Sequence, residues 1–245
     1  MEMERLSETM SSQLIQGSNS NSSVQAPILY SLQHCPYAMR ARIALFKSQK
    51  TVLIRAVKLN NKPKEMLVAS PKGSVPVLVV SDRIILEESL EVMLWALAEN
   101  DPDDLLHHKQ EAALTRMHAL ISLFESEFVP ALEAYSCAKR YHEDNLGECR
   151  RRCEVVLQSL EDRLTEHTYL FSDRESLLDI AVMPFIRKFA RIERQWYLQS
   201  PYPKLRDWLN GYLQSAMFAK VMAKHELWLE NRQDIYFGYS KSKKS

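Results

Sequence analysis

The chain has 245 residues, 46% hydrophobic and 26% charged, with a formal net charge of +1. It can bury a sizeable core as one large domain or two small ones, and its near-neutral balance gives no global reason to expect nucleic acid or an anionic membrane as partner. Five glycines and ten prolines favour a helix-rich protein, while four cysteines, at 35, 137, 149 and 153, form no regular framework, which fits a reducing, cytoplasmic setting better than a secreted disulfide scaffold.

Residues 1–26 carry Glu2, Glu4, Glu8 and a polar stretch from Gln16 to Gln25. They lack the apolar core of a signal peptide and are expected to form a disordered tail. A mixed α/β domain is expected over 27–100. Ile28-Leu29-Tyr30 reads as a short strand, and Met39, Ile43 and Phe46 recur at helical spacing within a helix over 37–49. Strands over 52–57 and 77–80 flank a loop containing Asn60, Asn61 and Pro63. The turn Ser81-Asp82-Arg83 then joins the second strand to Ile84-Ile85-Leu86 as a hairpin, ahead of a helix over 89–97.

The polar segment 99–104, with Pro102, suits a linker, and beyond it the pattern changes. Apolar spacing of three and four over 105–135, 146–167, 176–192 and 205–213, with few strand signals, predicts an all-helical domain over 105–235. Pro130 and Pro184 should kink or interrupt their helices. Ser176-Leu-Leu-Asp179 has the form of a capping box and marks a helix start, a structural role. Residues 236–245 end in the small basic run Lys241-Ser-Lys-Lys-Ser245 and read as a flexible, solvated tail. No segment has the uninterrupted apolar length that spans a bilayer.

Three stretches of the first domain carry chemistry. Cys35 falls between the first strand and the first helix and is followed by Pro36, which suits the first helical position. The unpaired amides and positive dipole end of a helix favour thiolate over thiol there. Position 38 is alanine, so no second cysteine follows and the chemistry would be monothiol, with resolution by a thiol from elsewhere. In Gly73-Ser-Val-Pro76, a proline interrupts what otherwise reads as strand. Either the peptide is cis at an edge, leaving the Val75 amide and carbonyl free to pair with an extended ligand, or a trans proline merely opens the strand. In Glu87-Glu88-Ser89, the Ser89 hydroxyl and helix amides could bind a carboxylate while Glu88 binds an ammonium. A plain helix cap is the commoner use of such residues.

Together these residues resemble the glutathione transferase superfamily over 27 to about 229. The likeness is greatest to its cysteine-type, omega-like members, through Cys35-Pro-Tyr-Ala38, Arg40-Ala-Arg42, Asn61-Lys-Pro63, Gly73-Ser-Val-Pro76 and Glu88-Ser89. The resemblance implies a thioredoxin-like first domain and an all-α second domain, with glutathione as cosubstrate and a possible homodimer. It implies that Cys35 is the catalytic thiol and that Val75 pairs through its backbone with the cysteinyl part of glutathione ahead of a cis Pro76. Glu88 and Ser89 would hold the γ-glutamyl end, and Lys62 would reach the glycyl carboxylate.

The function expected on this resemblance is a thiol transferase or small-molecule reductase, forming a mixed disulfide between Cys35 and glutathione and acting on a small-molecule or protein disulfide. A non-catalytic interaction protein on the same fold, of the stringent-starvation type, is the alternative, since fold does not fix function. Other candidates are read structurally. His34 beside Cys35 is expected to point elsewhere, Tyr37 to be helix surface or pocket wall, and Cys149 and Cys153 to be half-buried thiols and not a metal site with His142. Arg150-Arg-Arg152 is read as a solvated face.

Overall fold

The structure, a computed structural model, describes residues 26–238 as a mixed sheet-and-helix domain followed by an all-helical one. The first domain runs β1 (Ile28–Ser31), α1 (Pro36–Lys47), β2 (Thr51–Ala56), α2 (Lys64–Ala69), β3 (Val77–Ser81), β4 (Ile84–Leu86) and α3 (Ser89–Glu99). β1 and β2 pair in parallel across the α1 crossover, and β3 and β4 add as antiparallel neighbours. The two-residue period of the strands sorts their side chains between layers. Leu29, Val52, Ile54 and Leu78 enter the main core with α1, whereas Tyr30 and Val77 face a smaller cluster closed by Met66 of α2.

The expected amphipathic helix is in fact buried nearly all round. Ala38 to Leu45 are without exception buried, because α1 is covered by the sheet, by α3 and by helices of the second domain. Two arginines, Arg40 and Arg42, are thereby carried into the boundary between the domains.

The second domain comprises α4 (Ala113–Tyr141), α5 (Leu146–Glu166), α6 (Leu177–Ala190), α7 (Arg194–Gln199), α8 (Pro203–Leu213), α9 (Ala216–Val221) and α10 (Trp228–Asn231). Its first helix starts at Ala113, later than the sequence pattern suggests. The Asp101 carboxylate accepts from the amides of Leu105 and Leu106 at 2.9 Å, and positive φ at Asp104, His107 and Ala112 holds this stretch in turns. Pro130 and Pro184 lie inside α4 and α6 without ending them. Buried neighbours such as Phe128, Leu132, Met183 and Phe185 keep both helices packed across the missing hydrogen bond. Among the described residues, no helix is long and apolar enough to cross a membrane.

The chain end departs from the expected flexible tail over 236–245. Residues Ile235–Gly238 form β5, antiparallel to β2 with Val52 opposite Phe237 and Thr51 opposite Gly238, giving the order β4-β3-β1-β2-β5. Phe237 is buried in the main core. The approach to β5 is anchored by Trp228, whose ring lies under the Arg55 guanidinium at 4.0 Å, and by an Arg232–Glu65 ion pair of 2.8 Å. Residues 1–25 and 239–245, including most of both expected tails, lie outside the described residues.

Candidate active site

Ser31 ends β1, the chain turns through Leu32, Gln33 and His34, and Cys35 takes the N-cap of α1 with extended backbone (φ −72°, ψ 124°) ahead of Pro36. The Cys35 amide donates to Leu32 O at 3.3 Å, and its carbonyl accepts the first helical bond from Met39 at 2.9 Å. The thiol is partly buried against the Met66 cluster, with Sγ 4.0 Å from the Val75 carbonyl oxygen. The Val75–Pro76 peptide bond is cis, the first of the two alternatives left open by the sequence. Val75 itself is buried.

The remaining expected ligands fall in two groups. Lys62 lies over the turn that leads to Val75. Gly73 holds φ +61° there, and a Cβ at that position would meet Lys62 Nζ at 3.0 Å, so the ammonium packs on the glycine. Glu88 is the N-cap of α3 and forms a capping box with Glu91, and its carboxylate also pairs with Lys72. It therefore already serves the helix and has a cationic neighbour that an incoming ammonium would have to displace. Ser89 is buried, its Oγ 3.4 Å from Arg40 Nη1.

The two buried arginines are the part of the site that sequence reasoning quoted as motif residues without assigning them a role. Arg40 donates from Nε to Ala181 O at 2.6 Å and pairs through Nη1 with Glu125, while its guanidinium lies 4.5 Å from the Phe185 ring centroid. Arg42 donates from Nε to Val221 O at 2.9 Å, from Nη1 to Ser31 Oγ at 2.5 Å and Leu32 O at 3.2 Å, and from Nη2 to Gln33 O at 2.6 Å. Arg42 thus stitches the turn carrying Cys35 to α9, and Gln33 Nε2 adds a bond to Met222 O at 3.0 Å. Burial holds the Arg42 guanidinium down at about 10, partly offset by the neighbouring Cys35 charge. The only signal in the sequence was two arginines set among the apolar residues from Ala38 to Leu45.

The other candidates take different places. His34 is exposed, and its imidazole is held below the usual range by partial burial and by the charges of Arg187, Arg191 and Arg42. Tyr37 packs edge-on against Phe185 at 5.0 Å. Cys149 and Cys153 are buried, and burial pushes the Cys153 thiol up to about 12, which leaves it unreactive near neutrality. Among the described residues the potential metal ligands that gather are Asp101, Asp104 and His108, whose carboxylates already cap backbone amides. A 390 Å³ cavity lined by Lys47, Glu175, Trp208 and Tyr212 lies at the other end of α1, about 18 Å along the helix from Cys35.

Both domains match known families. Residues 29–104 match the glutathione S-transferase N-terminal domain, and residues 111–211 match the glutathione S-transferase C-terminal domain. The chain is 25% identical to mouse glutathione S-transferase omega-1 over 187 residues, 76% of each chain. It is 26% identical to pyrimidodiazepine synthase of Drosophila melanogaster over 190 residues, 74% of each. Among solved structures, a glutathione transferase family member from Pseudomonas fluorescens with two glutathione bound superposes with a TM-score of 0.70 at 17% identity, over 86% of this chain and 96% of that one.

Proposed function

The chain belongs to the glutathione S-transferase family, and on that premise we propose that it is a cysteine-type, omega-like member acting as a glutathione-dependent thiol transferase or small-molecule reductase through Cys35. The observation that carries this reading is the placement of Cys35 Sγ at the N-cap of α1, 4.0 Å from the Val75 carbonyl at the mouth of the sheet. Glutathione is the proposed cosubstrate. Its cysteinyl part would lie along Val75 beside Pro76, its γ-glutamyl end near Glu88 and Ser89, and its glycyl carboxylate toward Lys62.

In the proposed cycle the Cys35 thiolate attacks the glutathionyl sulfur of a mixed disulfide. The S–S bond breaks, the other thiol leaves as a thiolate, and a Cys35–glutathione disulfide forms. The thiolate of a second glutathione attacks the glutathionyl sulfur of that disulfide. Oxidised glutathione departs and the Cys35 thiolate returns, so each turnover consumes one free glutathione thiol, releases the substrate's other thiol, and carries away the glutathionyl group of the mixed disulfide as oxidised glutathione. Ala38 offers no internal resolving thiol, which supports the need for that second molecule.

The test is a thiol-transferase and dehydroascorbate reductase assay of the parent and Cys35→Ala, with a mass spectrum after exposure to oxidised glutathione. Activity should fall to background in the variant, and a single glutathione adduct should map to Cys35. Parental activity in Cys35→Ala, or adducts confined to Cys137, Cys149 or Cys153, would overturn the reading. Retention of the parent on immobilised glutathione separates it from a pure interaction module, which would flow through.

A further inference from the structure

The ion pairing of this protein is uneven. Among the described residues, Arg40, Arg55, Arg150, Arg152, Arg174 and Arg232 each meet a carboxylate, and the other arginines do not. Arg187 and Arg191, successive turns along the outer end of α6 and its C-cap, meet none among the described residues. Arg187 is half-buried with its guanidinium 5.4 Å from the Phe218 ring centroid, so an aromatic face holds it in place of an anion.

Phe218 is on α9, one turn before Val221 and Met222, the residues that Arg42 and Gln33 grip from the Cys35 turn. The Arg187 guanidinium is thereby linked through α9 to the turn that carries the thiol. His34, exposed beside Cys35, is depressed by partial burial and then by Arg187, Arg191 and Arg42, with no acidic group offsetting them. Arg42 is likewise met by backbone carbonyls, a hydroxyl and a thioether, and by no carboxylate. Arg187 and Arg191 from α6 thus act electrostatically on His34 beside the thiol, with Arg42 buried beneath the same turn, in a chain whose overall charge is only +1.

We propose that Arg187 and Arg191, with His34, bind an acidic group on the thiol joined to glutathione, so that the preferred substrates are anionic mixed disulfides. This rests on the Cys35 reading above and adds the substrate class to it. The two arginines favour entry of the acidic disulfide and stabilise the thiolate that leaves when Cys35 takes up the glutathionyl sulfur. Arg187 and Arg191 are specificity-determining residues here, and sulfur exchange itself stays with Cys35.

The experiment compares glutathione mixed disulfides of 3-mercaptopropionate, 2-mercaptoethanol and cysteamine, which are close in size and differ in the sign of the terminal charge. Binding of the matching S-carboxyethyl, S-hydroxyethyl and S-aminoethyl glutathiones to Cys35→Ser is measured by calorimetry. Both kcat/KM and affinity should rank anionic above neutral above cationic, with about tenfold per step. Arg187→Gln and the exposed Arg191→Gln should each compress the ranking, and Arg187→Lys should restore part of it. Equal affinities for the three conjugates, or a ranking untouched by both glutamine variants, would overturn the proposal. Ranked binding without turnover would count against the thiol-transferase reading alone, and failure to bind any conjugate would overturn both.

Discussion

Replacing Arg42 by methionine keeps the aliphatic stem and removes the guanidinium that ties the Cys35 turn to α9. The Leu32 carbonyl keeps the Cys35 amide and the Ser31 hydroxyl can rotate, but the Gln33 and Val221 carbonyls lose their side-chain donor. Two stranded buried acceptors cost about 2–6 kcal/mol. Against this, a cation held down at about 10 by burial is removed, which returns on the order of 3 kcal/mol. The net change in urea unfolding should therefore be small, between a gain of about 1 and a loss of about 3 kcal/mol, while the local effect is large. Amide exchange over 32–35 should accelerate about tenfold or more beyond the change seen in α5. Arg42→Lys, whose single ammonium cannot span both carbonyls, should loosen the same turn while keeping the charge. Exchange over 32–35 that follows α5 in both variants would refute the tether.

Asp179 offers a pH test of the helical domain. Its carboxylate accepts from Ser176 N at 3.0 Å, Leu170 N at 2.8 Å and Trp208 Nε1 at 3.0 Å, yet burial outweighs these bonds and raises the carboxyl to about 6. The folded state thus holds its proton more tightly than the unfolded state does, so the stabilisation is complete below pH of about 4 and is lost as pH rises through about 6. The stability of the parent relative to Asp179→Asn should fall by on the order of 3 kcal/mol between those limits, and a flat difference in denaturant titrations across that range would contradict it. Gly238 holds φ +109°, and a Cβ there would lie 1.8 Å from Lys50 O. Gly238→Ala should undock β5 and raise exchange at Val52 and Ile54. Unchanged protection along β2 would show that the strand can shift to accept the methyl.

The architecture was legible wherever the pattern was local. Short apolar runs marked the strands, spacing of three and four marked the long helices, and Ser176-Leu-Leu-Asp179 forms the capping box it resembles. What was not legible depends on pairing across the chain. Ile235-Tyr-Phe-Gly238 is a strand only because β2, far away in sequence, leaves an edge for it. Residues 105–112 carry a helical apolar spacing that the Asp101 carboxylate overrides by capping Leu105 and Leu106 in turns. α1 looks amphipathic because its second buried face is supplied by another domain.

The site divides in the same way. Cys35, Pro36, Val75 and Ser89 could be picked out because each occupies a punctuated position at a strand or helix end, where a few neighbouring residues fix the backbone. Arg42 and Arg187 could not, because their meaning lies in what faces them. Arg42 touches the Cys35 turn at one end of its guanidinium and α9 at the other, and Arg187 reaches the same helix through Phe218. The surroundings of the thiol's turn are therefore built jointly by both domains. On the proposed function, a change on α6 or α9 that leaves every residue of the thioredoxin-like domain intact should still alter which disulfides Cys35 accepts.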